Sequence, residues 1–125
     1  MKKIAFVSRR KIVAEGLKAV FAAHEELDFC LLPLIPPQTA ETDALVYLPD
    51  ILILDVTGEM QGEVLFSLCR TLKKNQKECR IILLLGEAET EYHTLSVQAR
   101  QQKLADDFVF YDSSMEYLLA KLRAL

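Results

Sequence analysis

The chain reads as an α/β protein, a doubly wound five-stranded parallel sheet with helices on both faces. Three observations predict this. Short apolar runs alternate with segments of helical period along the whole length. One run, Ile51-Leu52-Ile53-Leu54, is apolar at every position, as in a central strand covered on both faces. The short distances from strand to strand leave room for single crossover helices, which give parallel pairing and right-handed connections.

Each element has its own signal. Lys3–Val7 is a short first strand. From Lys11 to His24, Val13, Leu17, Val20 and Phe21 recur at helical spacing and mark an amphipathic helix. Phe29–Leu34 is a second apolar stretch, stopped by Pro33 and then by Pro36-Pro37, which forbid a helix through them. A weak helix is expected over Thr39–Tyr47. Pro49-Asp50 then turns the chain into the strand that ends at Asp55. Over Glu63–Lys74, Leu65, Leu68 and Leu72 share a face, and Arg70, Lys73 and Lys74 cluster toward the carboxyl end, where cations suit the helix dipole. Arg80–Leu85 reads as a fourth buried strand, Thr90–Lys103 as a polar surface helix and Asp107–Tyr111 as a fifth strand. Ser113-Ser114-Met115-Glu116 matches a capping box, and Met115, Leu118, Leu119 and Leu122 form the inner face of the last helix. Repeats, linkers and low-complexity segments are absent, so residues 1–125 are expected to form one domain.

Bulk properties narrow the function. A chain of 125 residues buries about two-thirds of its unfolded surface. A net charge of −3 argues against direct nucleic-acid binding, which wants a basic field. The apolar part of the start, Ile4-Ala5-Phe6-Val7, is too short for a signal peptide and is soon followed by Arg9-Arg10-Lys11. No apolar run approaches a membrane span. Cys30, Cys69 and Cys79 are odd in number and lack ligand spacing, which suits reduced thiols in a cytoplasmic protein; Cys69 is expected to be semi-buried packing. The first strand–helix turn, Ser8-Arg9-Arg10-Lys11, has no glycine, so a dinucleotide fingerprint and a P-loop are both excluded. It also lacks the Ser/Thr/Gly-rich character of a flavin site and the cysteine of a phosphocysteine carrier. His24 and His93 sit at no strand end and compose no catalytic triad; both read as surface residues.

One carboxylate is aimed at chemistry. Asp55 ends the buried run, and functional groups in open α/β sheets gather at the carboxyl ends of strands. A carboxylate there is costly to bury and needs a partner or a task.

Taken together, these residues resemble bacterial response-regulator receiver domains of the CheY-like kind. Lys3–Phe21, with Glu15-Gly16-Leu17, is similar to the family's opening. Pro49–Asp55 resembles the strand that ends in the phosphoacceptor aspartate, and Gly62 the glycine that follows its loop. Ala105-Asp106-Asp107-Phe108 and Leu118–Leu125 resemble the fifth strand and helix. The resemblance implies the flavodoxin-like strand order 2-1-3-4-5, a phosphoacceptor-equivalent at Asp55 and a switch-aromatic equivalent at Phe108. It also implies a damaged reaction centre. The two acids that hold magnesium in the family fall on Ser8 and Arg9. The hydroxyl residue after the fourth strand falls on Gly86, the lysine at the end of the fifth on Tyr111 and the proline beyond it on Asp112. The loop Val56-Thr57-Gly58-Glu59-Met60-Gln61 lacks the family's proline and is one residue short. Ser8, Arg9, Thr57, Gly86 and Tyr111 thus form a degenerate pocket, with magnesium binding weak or absent and no other cofactor expected.

The expectation is a non-catalytic pseudo-receiver acting through a protein partner or output domain. By resemblance, it can homodimerise through the Thr90–Leu125 face, with Phe110, Tyr117 and Arg100 contributing. The alternative is a working phosphoacceptor or small-ligand sensor built on Asp55 with a rearranged pocket. Arg9 has two readings. It is a fixed counter-ion to Asp55, or it is exposed while Asp55 bonds loop amides or water; the second is the commoner state for arginine. Arg10 and Lys11 read as a solvated helix entrance, with a small anion site as the minor alternative. Phe108 reads as packing, Tyr111 as a ring over the pocket, and Glu87, Glu89 and Glu91 as a solvated acidic run.

Overall fold

The structure is a computed structural model and describes residues 2–56, 62–85, 97–110 and 113–125, with the side chains of 62–65 left aside. Five strands form one sheet in the order β2-β1-β3-β4-β5: β1 Lys2–Val7, β2 Phe29–Leu31, β3 Ile51–Asp55, β4 Arg80–Leu85 and β5 Asp107–Phe110. Every pairing is parallel. The expected class and strand order are both present.

Strand periodicity sorts the core into two layers. Leu52 and Leu54 of β3 join Ala5, Val7, Ile81, Leu83 and Leu85 on one face. Against them pack helix α2 (Ala40–Tyr47), through Ala40 and Ala44, and helix α3 (Gly62–Asn75), through Leu68, Cys69 and Leu72. Ala99, in the helical residues 97–101 (α4), closes this layer. Ile51 and Ile53 face the other way with Ile4, Phe6, Ile82, Leu84 and Val109. That layer is covered by α1 (Lys11–Ala23), through Leu17 and Phe21, and by α5 (Met115–Ala124), through Leu118, Leu119 and Leu122. Among the described residues, the apolar faces read from helical spacing are those that meet the sheet.

Several boundaries move for physical reasons. The second strand ends at Leu31, not Leu34. Leu32 still donates its N–H to Ile4 O at 2.8 Å, but past Pro33 the next bond to β1 comes from Ile35 where an unbroken ladder would use Leu34, so the regular register is lost there. The chain rejoins the sheet at Ile35, which bridges Val7, donates to Phe6 O and accepts from Ser8 N–H. A 3-10 turn over Pro37–Thr39 precedes α2, which therefore starts at Ala40. Helix α5 is capped by Ser114, whose hydroxyl accepts the Tyr117 N–H at 3.1 Å. Tyr117, not Glu116, is thus the third helical residue, so the expected Ser113–Glu116 box is replaced by a single cap bond. Tyr111 of the expected fifth strand and residues 90–96 of the expected surface helix lie outside the described residues.

The amino ends of the strands are tied by two aspartates. Asp50 accepts the Lys3 N–H at 2.8 Å through its side chain, while its backbone bonds Lys3 O and Arg80 N–H. Asp106 accepts the Ile81 N–H at 2.8 Å, Lys73 Nζ at 2.8 Å and Arg80 at 3.2 Å. Lys73 Nζ also donates to Cys79 O at 2.6 Å, joining the end of α3 to the start of β4. Burial alone would raise the Asp106 pKa, but the Lys73 hydrogen bond, the Ile81 N–H and the neighbouring cations outweigh it and hold the carboxyl below its usual value.

Asp106→Asn keeps the shape and removes the charge, and should lower unfolding free energy by about 1–3 kcal/mol at neutral pH in urea titrations. A carboxyl whose pKa is depressed on folding contributes stability above its unfolded pKa and loses it as pH falls through its folded pKa. The difference between wild type and Asp106→Asn should therefore shrink in acid.

Candidate functional site

The site forms where β1 and β3 end. Val7 pairs with Leu54, so the next residue on each chain, Ser8 and Asp55, meet across the ladder. Both are buried, at 2% and 5% exposure, and they are the two buried polar side chains among the described residues. Ser8 Oγ donates to Asp55 Oδ2 at 2.6 Å, the short range of a charge-assisted O–H···O⁻ bond. The same oxygen accepts the Arg10 N–H at 2.9 Å, a local Ser turn at the mouth of α1. A third bond, Ser8 N–H to Ile35 O at 3.1 Å, ties in the segment returning from β2.

Helix α1 begins beside this cluster. Arg10 is its N-cap, with extended backbone and no side-chain cap bond, and the first turn holds no acid. Arg9, Arg10 and Lys11 are exposed. Ser8, which neither reading of Arg9 includes, places its hydroxyl on Asp55. The available signal was register: two parallel strands ending one residue before a hydroxyl and a carboxylate.

Phe108 lies half-buried on β5 and packs on the α2–α3 side of the core, its ring edge-to-face with Phe110 at 5.8 Å. Asp107 beside it accepts Lys121 Nζ at 2.8 Å, lies 3.7 Å from Arg100 and raises the Lys121 pKa through the hydrogen bond. Lys121 also stands 5.4 Å from the centre of the half-exposed Tyr117 ring. Thr57, Gly86, Tyr111, Asp112 and the acidic run at Glu87, Glu89 and Glu91 lie outside the described residues, as does His93. His24 is partly exposed and pairs with Glu26 at 3.1 Å.

The thiols lie elsewhere. Cys69 is fully buried rather than semi-buried, because its helix face packs directly on the sheet. Burial pushes its thiol up to about 12 and that of Cys79 up to about 11, despite the nearby Lys73 charge. Cys30 is partly exposed on edge strand β2. A cleft of about 770 Å³ lies at the opposite end of the sheet among Lys2, Asp28, Asp50, Arg80 and Arg123. It shares no residue with the Asp55 cluster. No described helix is long and apolar enough to cross a membrane.

No family model matches the chain, and no curated protein matches it. Solved structures do. A LuxR-family DNA-binding response regulator from Staphylococcus aureus superposes with a TM-score of 0.76 at 16% identity, covering 99% of this chain and 98% of its own. The receiver domain of the sensor histidine kinase PA1611 from Pseudomonas aeruginosa, solved with a magnesium ion in its active-site cleft, gives 0.71 at 15% identity, covering 99% and 98%. A redox sensor of the streptococci, of a family evolved from two-component response regulators, gives 0.71 at 20% identity, covering 99% of this chain and 50% of its own. At such identities the likeness establishes the fold, which is that of receiver domains.

Because thiolates are the reactive form, Cys69 and Cys79 should resist a thiol reagent in the native state while Cys30 reacts. Labelling followed by mass spectrometry should find Cys30 modified first, and all three sites modified only after unfolding.

Proposed function

We propose that the chain is an atypical receiver module of two-component signalling, which acts through protein contacts and not by magnesium-dependent phosphorylation of Asp55. The observation that carries this reading is the Ser8–Asp55 bond. The resemblance gives Asp55 the phosphoacceptor role, and the side chain across from it is a neutral hydroxyl already donating to it.

The chemistry follows from what phosphoryl transfer needs. Little covalent work falls to the protein; transfer is mostly positioning and neutralisation of charge. The resemblance puts Ser8 and Arg9 where acids would hold the metal, Gly86 where a hydroxyl would contact the phosphoryl group and Tyr111 where a lysine would stand. Without the metal and the lysine, transfer to Asp55 should be slower by several orders of magnitude. Phe108 then serves as packing, held by Phe110 and the core. The module is non-enzymatic and cytoplasmic in this reading.

Its working surface is the face of β5 and α5. A shallow hollow of about 350 Å³ there is lined by Phe108, Val109, Phe110, Ser113, Ser114 and Tyr117. Tyr117 is an exposed aromatic of the kind enriched in protein interfaces. An output domain, a separate protein or a second copy of the chain would dock on it.

Titration with beryllofluoride and magnesium, followed by amide NMR, tests the proposal. Shifts at Asp55 and Phe108 should be absent; saturable shifts running from Asp55 to the Phe108 strand would instead mean that the site still switches by accepting a phosphoryl group.

A further inference from the structure

The receiver fold implies a divalent cation at the strand ends, and one structural neighbour holds magnesium in its cleft. The donor set among the described residues does not fit such an ion. A hard cation takes several oxygen ligands, preferably anionic. Beside Asp55 stands a neutral hydroxyl whose hydrogen is engaged, and the next residue, Arg9, is cationic. Among the described residues, no three His, Cys, Asp or Glu gather to hold a metal.

We infer that Ser8 is a positioning residue that has taken over the structural task of the cation, fixing the Asp55 carboxylate and the strand ends in one arrangement that needs no divalent ion. Assigning Asp55 to the phosphoacceptor position rests on the receiver reading above; the hydrogen bonds do not. A serine hydroxyl has one hydrogen and two lone pairs. Arg10 N–H takes a lone pair of Ser8 Oγ, which leaves the hydrogen directed at Asp55. The carboxylate thus meets a fixed dipole where the family would place a cation.

Burial makes the exchange consequential. At 2% and 5% exposure, Ser8 and Asp55 have almost no water to replace the bond if it is lost. An acid at position 8 would set two carboxylates side by side, which a cation must separate. A hydroxyl avoids the repulsion. Through its N–H bond to Ile35 O, Ser8 also joins the segment leaving β2 to the same cluster, so one residue links β1, β3 and the chain entering α2.

The test compares wild type, Ser8→Ala and Ser8→Thr by the Asp55 carboxyl-carbon resonance and by Tm, each with and without Mn²⁺ as a paramagnetic probe. Wild type should show no saturable broadening at Asp55. Ser8→Ala should move the carboxyl resonance and lower Tm by about 3–8 °C, and Ser8→Thr, which keeps the hydroxyl, should return the resonance toward wild type. If Ser8→Ala does not fold, Ser8→Cys, close in size but a weak donor, is read in its place by the same resonance. An unmoved resonance and unchanged Tm in a wild type blind to Mn²⁺ would overturn the role of Ser8 and leave the receiver reading standing. Saturable broadening of wild type at Asp55 would overturn this inference together with the metal-independent reading.

Discussion

A strand buried on both faces has no freedom of register, and β3 is such a strand. All five of its residues are buried, and it is paired with β1 on one side and β4 on the other. Sliding by one residue would send Ile51 and Ile53 into the layer built for Leu52 and Leu54, and the reverse. Each side chain contributes about 1.5–3 kcal/mol by burial, so the two layers together hold the register far more firmly than any single polar contact could. That register sets Val7 beside Leu54 and so delivers a hydroxyl to a carboxylate at the top of the sheet. The polar site is a by-product of apolar fit.

The two ends of the sheet treat buried acid differently. At the amino ends, Asp106 has two cations and a backbone N–H, and Asp107 has Lys121 and Arg100. These are partly exposed pairs, where long cationic side chains reach in from helices and water screens the remainder. Deeper in, Asp55 meets a short neutral donor placed by the strand itself. A short donor costs little side-chain entropy to fix, whereas a lysine or arginine gives up about 2 kcal/mol of rotamer freedom.

The fold was almost entirely legible because its signals are local and agree with one another. The continuous run at Ile51–Leu54 announced burial on two faces, and the spacing of Leu17 with Phe21 and of Leu118 with Leu122 named the helix faces that pack. Boundaries shifted where one hydrogen bond decides. Pro33 shortened β2, and the choice between Ser113 and Ser114 as cap turned on which hydroxyl reaches an N–H. The site was legible only in part. Asp55 stood out because a carboxylate after a buried strand is conspicuous, while its partner depended on inter-strand register, which a single sequence states only indirectly. The Asp106–Lys73–Arg80 cluster was missed for the same reason: its members lie far apart in the chain, and no local pattern couples them.

The early end of β2 bears on how copies of this chain meet one another. A parallel sheet has two margins, and the one formed by β2 is three residues long, followed after Leu32 by Pro33 and later by Pro36 and Pro37. An incoming strand would find few free amides there and then a residue with none to offer. Growth by strand addition needs two competent margins on every copy. With the β2 margin stopped by proline, continuous growth by strand addition is interrupted at this edge. The β2 edge thus works against open filaments of this chain.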